Sequence, residues 1–87
     1  MGGRVGAPAT KRFEVGSTEG FLVYYRAALG EVHRSLARLT GGDRALTEDL
    51  SQETFLALHR EAVAGRVGAV EVGWAILVAR RKFLDHL

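Results

Sequence analysis

The chain has no cysteine, a single proline and no long apolar run. The absence of cysteine excludes disulfide bonds and thiolate metal sites. No segment approaches the ~18 apolar residues that a membrane-spanning helix needs, and the first residues lack the apolar core of a signal peptide. These absences predict a cytoplasmic protein without a membrane segment.

The 87 residues suffice for one small domain, and 47% hydrophobic with 25% charged residues is typical of a soluble globular chain. A net charge of +2 does not by itself argue for nucleic acid. The distribution of charge is more informative, because acidic residues gather within 43–61 and basic residues gather within 80–82. The two regions are therefore expected to present different electrostatic surfaces. A core of this size gives marginal stability, which favours a docking partner.

Glycine and the only proline, Pro8, are concentrated in the first part of the chain. Because both residue types disfavour regular structure, residues 1–17 are predicted to be a flexible lead-in to a domain spanning residues 18–87. No segment alternates cleanly between apolar and polar residues, so the sequence predicts no strands.

Three segments have helical periodicity, and glycines separate them at 41–42 and around 65–73. The helices are predicted at about 18–40, 44–64 and 71–87, which gives an all-α fold, a small bundle of three main helices. Capping is predicted at Ser17 or Thr18 for the first helix and at Asp43 for the second. The predicted core residues are Tyr25, Leu29, Val32, Leu36 and Leu39 on the first helix, Leu46, Leu50, Phe55, Ala57, Leu58 and Ala62 on the second, and Ile76, Leu77, Phe83, Leu84 and Leu87 on the third. Arg80 falls within the arc of the third helix, so it is predicted to pair with a carboxylate or to extend its stem past the core.

The second helix carries a compact acidic and amide patch opposite its predicted core side. The patch consists of Asp49, Gln52, Glu53, Leu56 and Arg60, with Val63 beside it. An apolar centre with a hydrogen-bonding rim is typical of a protein interface, and the carboxylates would suit a basic partner. The alternative is an ordinary solvated face, which the pattern alone does not exclude.

The third helix places Trp74, Val78, Arg81 and Lys82 on the side opposite its predicted core. Basic side chains bind phosphates or base edges, and an aromatic ring can stack on an unpaired base. The alternative is a tryptophan in the core and a basic last turn that complements the helix dipole.

The sequence gives little support for catalysis. His33, His59 and His86 lie on three different predicted helices, and neither a nucleophile nor an acid–base pair emerges. The glycine-rich loop lacks the spacing of a phosphate-binding or dinucleotide fingerprint. The sequence therefore predicts a protein that is not an enzyme and that holds no metal or cofactor.

The stretch "TGGDRALTEDLSQETFLALHR", followed after the glycine-rich loop by "WAILVARRKFLDHL", resembles region two of bacterial sigma factors. The resemblance extends from about Phe21 to Leu87 and is closest to the extracytoplasmic-function (ECF) class. It implies a compact bundle of three main helices that docks on the clamp-helix coiled coil of the RNA polymerase β′ subunit. By position, the docking residues would be Asp49, Gln52 and Glu53, with Leu56 and Arg60 nearby.

The same resemblance implies that the last helix and the preceding loop recognise and help melt the minus-ten promoter element. The loop over residues 65–73 would hold a base flipped from the non-template strand. The implied DNA-binding residues are Arg66, Val70, Trp74, Val78, Arg81 and Lys82. Asparagine is common in this class at the position of Arg81, so base preference is open; arginine favours guanine or phosphate.

A complete ECF factor has a second helical domain that reads the minus-thirty-five element, and this chain resembles the N-terminal domain alone. The sequence thus predicts a transcription initiation factor domain with polymerase core and promoter DNA as partners. It leaves open whether an anti-sigma factor covers these faces. The alternatives are a helical protein-interaction module without DNA recognition and a helix-turn-helix repressor, which would need a shorter turn before its recognition helix.

Overall fold

A computed structural model of the protein describes residues 11–87 and contains three α-helices. They are α1 (Thr18–Leu39), α2 (Arg44–Val63) and α3 (Val72–His86). The predicted all-α bundle is confirmed, and each helix begins and ends within one residue of its predicted bounds. Among the described residues, no helix has the combination of length and apolarity that crossing a bilayer requires.

Local signals fix the helix ends. The Ser17 hydroxyl accepts a hydrogen bond of 3.0 Å from the backbone N–H of Gly20, and the Asp43 carboxylate accepts one of 3.0 Å from that of Leu46. Each satisfies a backbone donor that the first helical turn leaves unpaired. Between α1 and α2 the chain turns through Gly41 and Gly42, whose φ angles of 69° and 87° lie in the left-handed region. Glycine adopts that region without the steric cost that a side chain would add.

The prediction that the chain has no strands is wrong. Strand β1 (Phe13–Glu14) pairs antiparallel with β2 (Ala69–Val70), with Phe13 opposite Val70. Each strand has two residues, which is too short for an alternating pattern to be recognised.

The N-terminal segment also corrects the predicted lead-in. Phe13 and Val15 are 8% and 2% exposed and belong to the hydrophobic core. The packed part of the chain therefore begins before residue 18, and only the portion of the predicted lead-in within residues 1–10 lies outside the described residues.

On α1 the buried side is broader than the predicted stripe. Val32 and Leu36 are fully buried as predicted, but Tyr25 and Leu29 are half-buried and Leu39 is exposed. The buried centre includes Tyr24 and Ala28 instead. The reason is that α1 packs against both other helices, so its buried arc lies between the two contacts.

On α2 the predicted core side is confirmed, with additional polar members. Leu50, Phe55, Leu58 and Ala62 are buried, and Leu46 and Ala57 are half-buried. Thr47, Ser51 and Thr54 are buried as well. The burial of the two threonines is tolerated because their hydroxyl groups find partners nearby: Thr54 donates to the Leu50 carbonyl at 2.8 Å, and the hydroxyls of Thr40 and Thr47 lie 2.9 Å apart.

On α3 the predicted core arc is largely wrong. Leu77, Leu84 and Leu87 are 65%, 62% and 83% exposed, whereas Ala75 and Ala79 are fully buried. Ile76 and Phe83 are half-buried, and Arg80, predicted within the arc, is exposed. The two alanines lie four residues apart and therefore on one face of the helix. Their small side chains allow α3 to approach α1 closely, which leucines in their place would prevent.

Candidate functional surfaces

The outward side of α2 carries all five residues predicted to bind polymerase. Asp49, Gln52, Glu53, Leu56 and Arg60 are exposed, and together they are called the α2 outer face. The buried leucines lie on the opposite side of the same helix and fix its rotation. Leu56 is 55% exposed, so the face has an apolar centre with carboxylate, amide and guanidinium groups around it.

A groove between α1 and α2 adjoins this face and was not predicted. It has a volume of about 600 Å³. Its walls include Phe21, Leu22, Tyr25 and Leu29 from α1 and Gln52 and Leu56 from α2. The signal for it was present in the sequence, because the spacing of Leu22, Tyr25 and Leu29 forms a helical stripe. Tyr25 and Leu29 belong to the predicted core stripe, whereas Leu22 is not among the predicted core residues.

Aromatic contacts hold the two sides of the α1–α2 groove together. The ring centroids of Tyr25 and Phe55 lie 4.8 Å apart, and those of Phe21 and His59 lie 5.1 Å apart, both in edge-on arrangements. Such contacts add to the apolar burial of the rings and fix their orientation. The groove is therefore a formed surface that continues the apolar centre of the α2 outer face.

The loop between α2 and α3 is fixed at the end that follows α2. Gly65 has a φ of 75°, and the guanidinium of Arg66 donates two hydrogen bonds to the Glu61 carboxylate, at 2.9 and 3.2 Å. These hydrogen bonds lower the pKa of Glu61 below its ordinary value. Arg66 is exposed but already has a partner in the chain. Val70, also predicted to contact DNA, is 8% exposed in β2, so its side chain is buried.

Tyr24 fixes the start of α3. Its buried hydroxyl donates a hydrogen bond of 2.8 Å to the Glu71 carbonyl and accepts one of 3.2 Å from the Ala75 N–H. Burial raises the pKa of Tyr24 to about 12. The Trp74 ring lies 6.5 Å from the Tyr24 ring, centroid to centroid.

The predicted DNA-binding residues of α3 differ in exposure. Trp74 and Val78 are half-buried and pack against the core, which agrees in part with the alternative of a core tryptophan. Arg81 is exposed and Lys82 is half-buried. Arg81 follows Trp74 by two helical turns and lies on the same side of α3. The structure thus brings one aromatic edge and one exposed cation to a common face.

A second concave surface, the α3 hollow, lies beside the start of α3 and has a volume of about 520 Å³. Its lining comprises Arg12, Ala69, Val70, Glu71, Gly73, Trp74 and Leu77. Arg12 and Leu77 were not among the predicted site residues. Arg12 was missed because residues 1–17 were excluded from the fold, and Leu77 because it was assigned to the core.

The described part of the chain contains no group of three or more histidine, cysteine, aspartate or glutamate side chains that could hold a metal ion.

Comparison with known proteins bears on these surfaces. The family model described as Sigma-70 region 2 matches residues 24–87, well over half of the chain. The chain belongs to the sigma-70 family. No curated protein and no solved structure matches it.

Membership supports a sigma factor role in transcription initiation, with RNA polymerase core and promoter DNA as partners in general terms. The sigma-70 match begins at Tyr24 and includes the α2 outer face and all of α3. Strand β1 and Arg12 precede the matched residues.

Proposed function

We propose that this chain is the polymerase- and promoter-binding domain of an ECF-class sigma factor that acts in the cytoplasm. It docks on the clamp helices of the β′ subunit through the α2 outer face. It presents α3 and the preceding loop to the minus-ten element. The observation that carries the proposal is the exposed patch of Asp49, Gln52 and Glu53 around Leu56, located within the sigma-70 region 2 match.

Docking is supported by the composition of this surface. Leu56 supplies an apolar centre, and the α1–α2 groove extends the apolar area with Leu22 and Tyr25. Carboxylates at the rim favour approach of a basic partner and fix its register. An amphipathic partner helix laid across such a surface would bury its apolar face in the groove. We therefore expect a helix of a coiled coil to be the element that binds this surface.

Promoter binding is supported by the exposed guanidinium of Arg81 and by the edge of Trp74 on the same side of α3. Arginine binds phosphates and guanine edges, and an aromatic surface stacks on an unpaired base. Melting then follows from binding energy, because an extruded base exchanges stacking in the duplex for contacts with the protein. The loop contributes through Arg66 and its backbone, since the Val70 side chain is buried.

The docking proposal is tested by Glu53→Lys and Gln52→Ala. Both residues are exposed, so the fold should be unaffected, while the affinity for core RNA polymerase should fall about tenfold or more for Glu53→Lys. The dissociation constant is measured by fluorescence titration of labelled chain with core enzyme. The matched control is Glu31→Lys, which makes the same charge change on the side of α1 away from the groove. Its ion pair with Arg34 is exposed and contributes little to stability.

Equal affinities for the wild type, Glu53→Lys and Glu31→Lys would contradict the docking proposal. Equal losses in Glu53→Lys and Glu31→Lys would contradict it too, because they would indicate a general charge effect rather than a defined interface.

A helical interaction module without DNA recognition is the second candidate, favoured by the packing of Trp74 and Val78 against the core. Replacing Arg81 and Lys82 together by glutamine separates the two functions. The sigma function predicts weaker promoter binding by the reconstituted holoenzyme and a smaller dependence of affinity on salt. The interaction module predicts no change in either quantity.

A further inference from the structure

We propose that Lys11 and Arg12, together with the α3 hollow, form an additional contact for single-stranded DNA beside α3. The inference rests on the function proposed above and extends its DNA surface to the N-terminal segment. This segment precedes the residues that the family model matches. The occupant we infer is a single strand whose base enters the hollow and whose phosphates contact the two cations.

Residues 13–15 are packed against the rest of the domain. Phe13 and Val15 insert into the core, and the Val15 N–H donates a hydrogen bond of 3.0 Å to the Gly68 carbonyl. On the α1 side, the carbonyl of Glu14 approaches Gly20 so closely that a Cβ there would collide with it. Only glycine allows this approach. The segment is therefore built into the fold, and residues 11 and 12 have a defined position beside the loop.

Arg12 keeps most of its hydrogen-bonding capacity for a ligand. One terminal nitrogen donates to the Ala69 carbonyl at 2.8 Å, while the Glu71 carboxylate lies 3.7 Å from the other, beyond hydrogen-bond distance. A guanidinium has five N–H donors, so the contact with Ala69 orients the group without saturating it. Glu71 offsets part of the charge, but both side chains are well exposed and water screens the pair.

Lys11 adds a second cation next to Arg12 in the chain, just before β1. Its ammonium lies 5.0 Å from the centroid of the Phe13 ring, a cation–π contact that uses none of its three donors. Lys11 is exposed, like Arg12. The contacts that the described residues make with these two adjacent cations leave most of their donors for phosphates of one strand.

The α3 hollow supplies the surface on which a base would stack. Leu77 is 65% exposed at its wall, and Trp74 is held against Tyr24 and the core while its outer edge remains accessible. Arg81 lies seven residues beyond Trp74, about 10.5 Å further along the helix. Arg12, which lines the hollow, and Arg81, further along α3, thus lie on either side of the Trp74 and Leu77 surface. This arrangement fits an unpaired strand, whereas a duplex keeps its base faces stacked inside.

The test compares the full chain with its Lys11→Gln/Arg12→Gln double variant in binding a short, fluorescently labelled single-stranded DNA of mixed sequence. Anisotropy is measured over a series of salt concentrations. Each phosphate contact on a single strand contributes ~0.7 to the slope of log affinity against log salt, so the slope should fall by about 1.4 in the double variant. The β1–β2 pairing runs between the backbones of residues 13–14 and 69–70, so the double variant should keep it while losing both charges.

Three further variants separate charge from structure. The single variant Arg12→Gln should lower the slope, whereas Arg12→Lys should keep the wild-type slope, because lysine retains the positive charge. Lys11→Gln alone should lower the slope by about 0.7, and it removes no hydrogen bond within the fold. Arg38→Gln removes an exposed arginine near the far end of α1, about 21 Å along the helix from Tyr24, and should leave the slope unchanged.

The outcomes distinguish this inference from the function on which it rests. If the wild type binds the single strand and Arg81→Gln weakens that binding, but the double variant keeps the wild-type slope, the additional contact does not exist while the proposed function stands. If Arg38→Gln lowers the slope as much as Arg12→Gln does, the effect is one of net charge and the inference is overturned. If the wild type does not bind single-stranded DNA at all, the additional contact and the proposed promoter-binding function are both contradicted.

Discussion

Helices α2 and α3 were analysed by the same helical-wheel argument, and the structure confirms it for one and contradicts it for the other. On α2 the predicted inward residues Leu50 and Leu58 are buried, and the predicted outward patch around Leu56 is exposed. On α3 the predicted inward residues Leu77 and Leu84 are exposed, and the buried positions are alanines. Because the same helical-wheel rule was applied to both helices, the different outcomes come from their sequences and from their packing.

The difference comes from how the large apolar residues are distributed and from what each helix packs against. On α2 most of them lie within one half of the wheel, and polar residues occupy the other. On α3 large apolar residues spread over about two thirds of the wheel, so the wheel allows several arcs, and the two alanines lie in the remaining sector. The close contact between α3 and α1 then selects the smallest side chains, Ala75 and Ala79, for the buried positions of α3. Side-chain size rather than hydrophobicity decides the rotation of α3.

The same substitution on each helix tests this comparison with the largest expected effect. Leu50→Ala on α2 should lower the free energy of unfolding by ~2–5 kcal/mol, because it leaves a cavity in the core. Leu84→Ala on α3 should change it by no more than ~0.5 kcal/mol, because that side chain is 62% exposed. Urea unfolding followed by circular dichroism measures both. Similar losses for the two variants would show that the rotation described for α3 is incorrect.

A small-to-large substitution tests the close contact between α1 and α3 directly. Ala79→Leu should destabilise the fold by ~1–3 kcal/mol, because the added carbons have no space between the two helices. The control is Ala27→Leu, an exposed alanine on α1 next to the buried Ala28. It makes the same chemical change and should have little effect on unfolding. A neutral Ala79→Leu would mean that α3 lies further from α1 than the structure has it.

Much of the fold could be predicted because its signals are local. Ser17 and Asp43 cap the helices that follow them, and Gly41 and Gly42 form the turn between α1 and α2. Each signal acts over about one helical turn and needs no knowledge of the rest of the chain. The α2 outer face could be predicted for the same reason: one helix contains both the face and the buried leucines that define its orientation.

The parts that were missed depend on contacts between distant residues. The hydrogen bond from Arg12 to the Ala69 carbonyl joins residues 57 positions apart, and no feature near either one announces it. The strands have only two residues each, so the alternation of Phe13, Glu14 and Val15 was too short to distinguish from a disordered segment. The α3 hollow was missed as a consequence, because one of its walls comes from this segment.

Tyr24→Phe tests what orients the start of α3, with a smaller expected effect. The substitution keeps the buried ring but removes the hydroxyl, which leaves the Ala75 N–H without its partner. The Glu71 carbonyl loses one of two donors and keeps the Trp74 N–H at 3.0 Å. The free energy of unfolding should fall by ~1–2 kcal/mol at neutral pH. Tyr25→Phe is the matched control, because Tyr25 is half-buried in the α1–α2 groove and its hydroxyl has no recorded hydrogen bond within the described residues. An equal loss in both variants would remove the special role assigned to Tyr24.

The pH dependence of stability isolates that hydroxyl from the packing of the ring. Burial raises the pKa of Tyr24 from 10.0 to about 12, so the folded state holds the phenolic proton more tightly than the unfolded state does. The stability from this group is fully present below about pH 10 and is lost as the pH rises towards 12. Other groups titrate in that range, but they are common to the wild type and Tyr24→Phe. The difference in unfolding free energy between the two proteins should therefore shrink above pH 10, and a constant difference would mean that the hydroxyl is not buried.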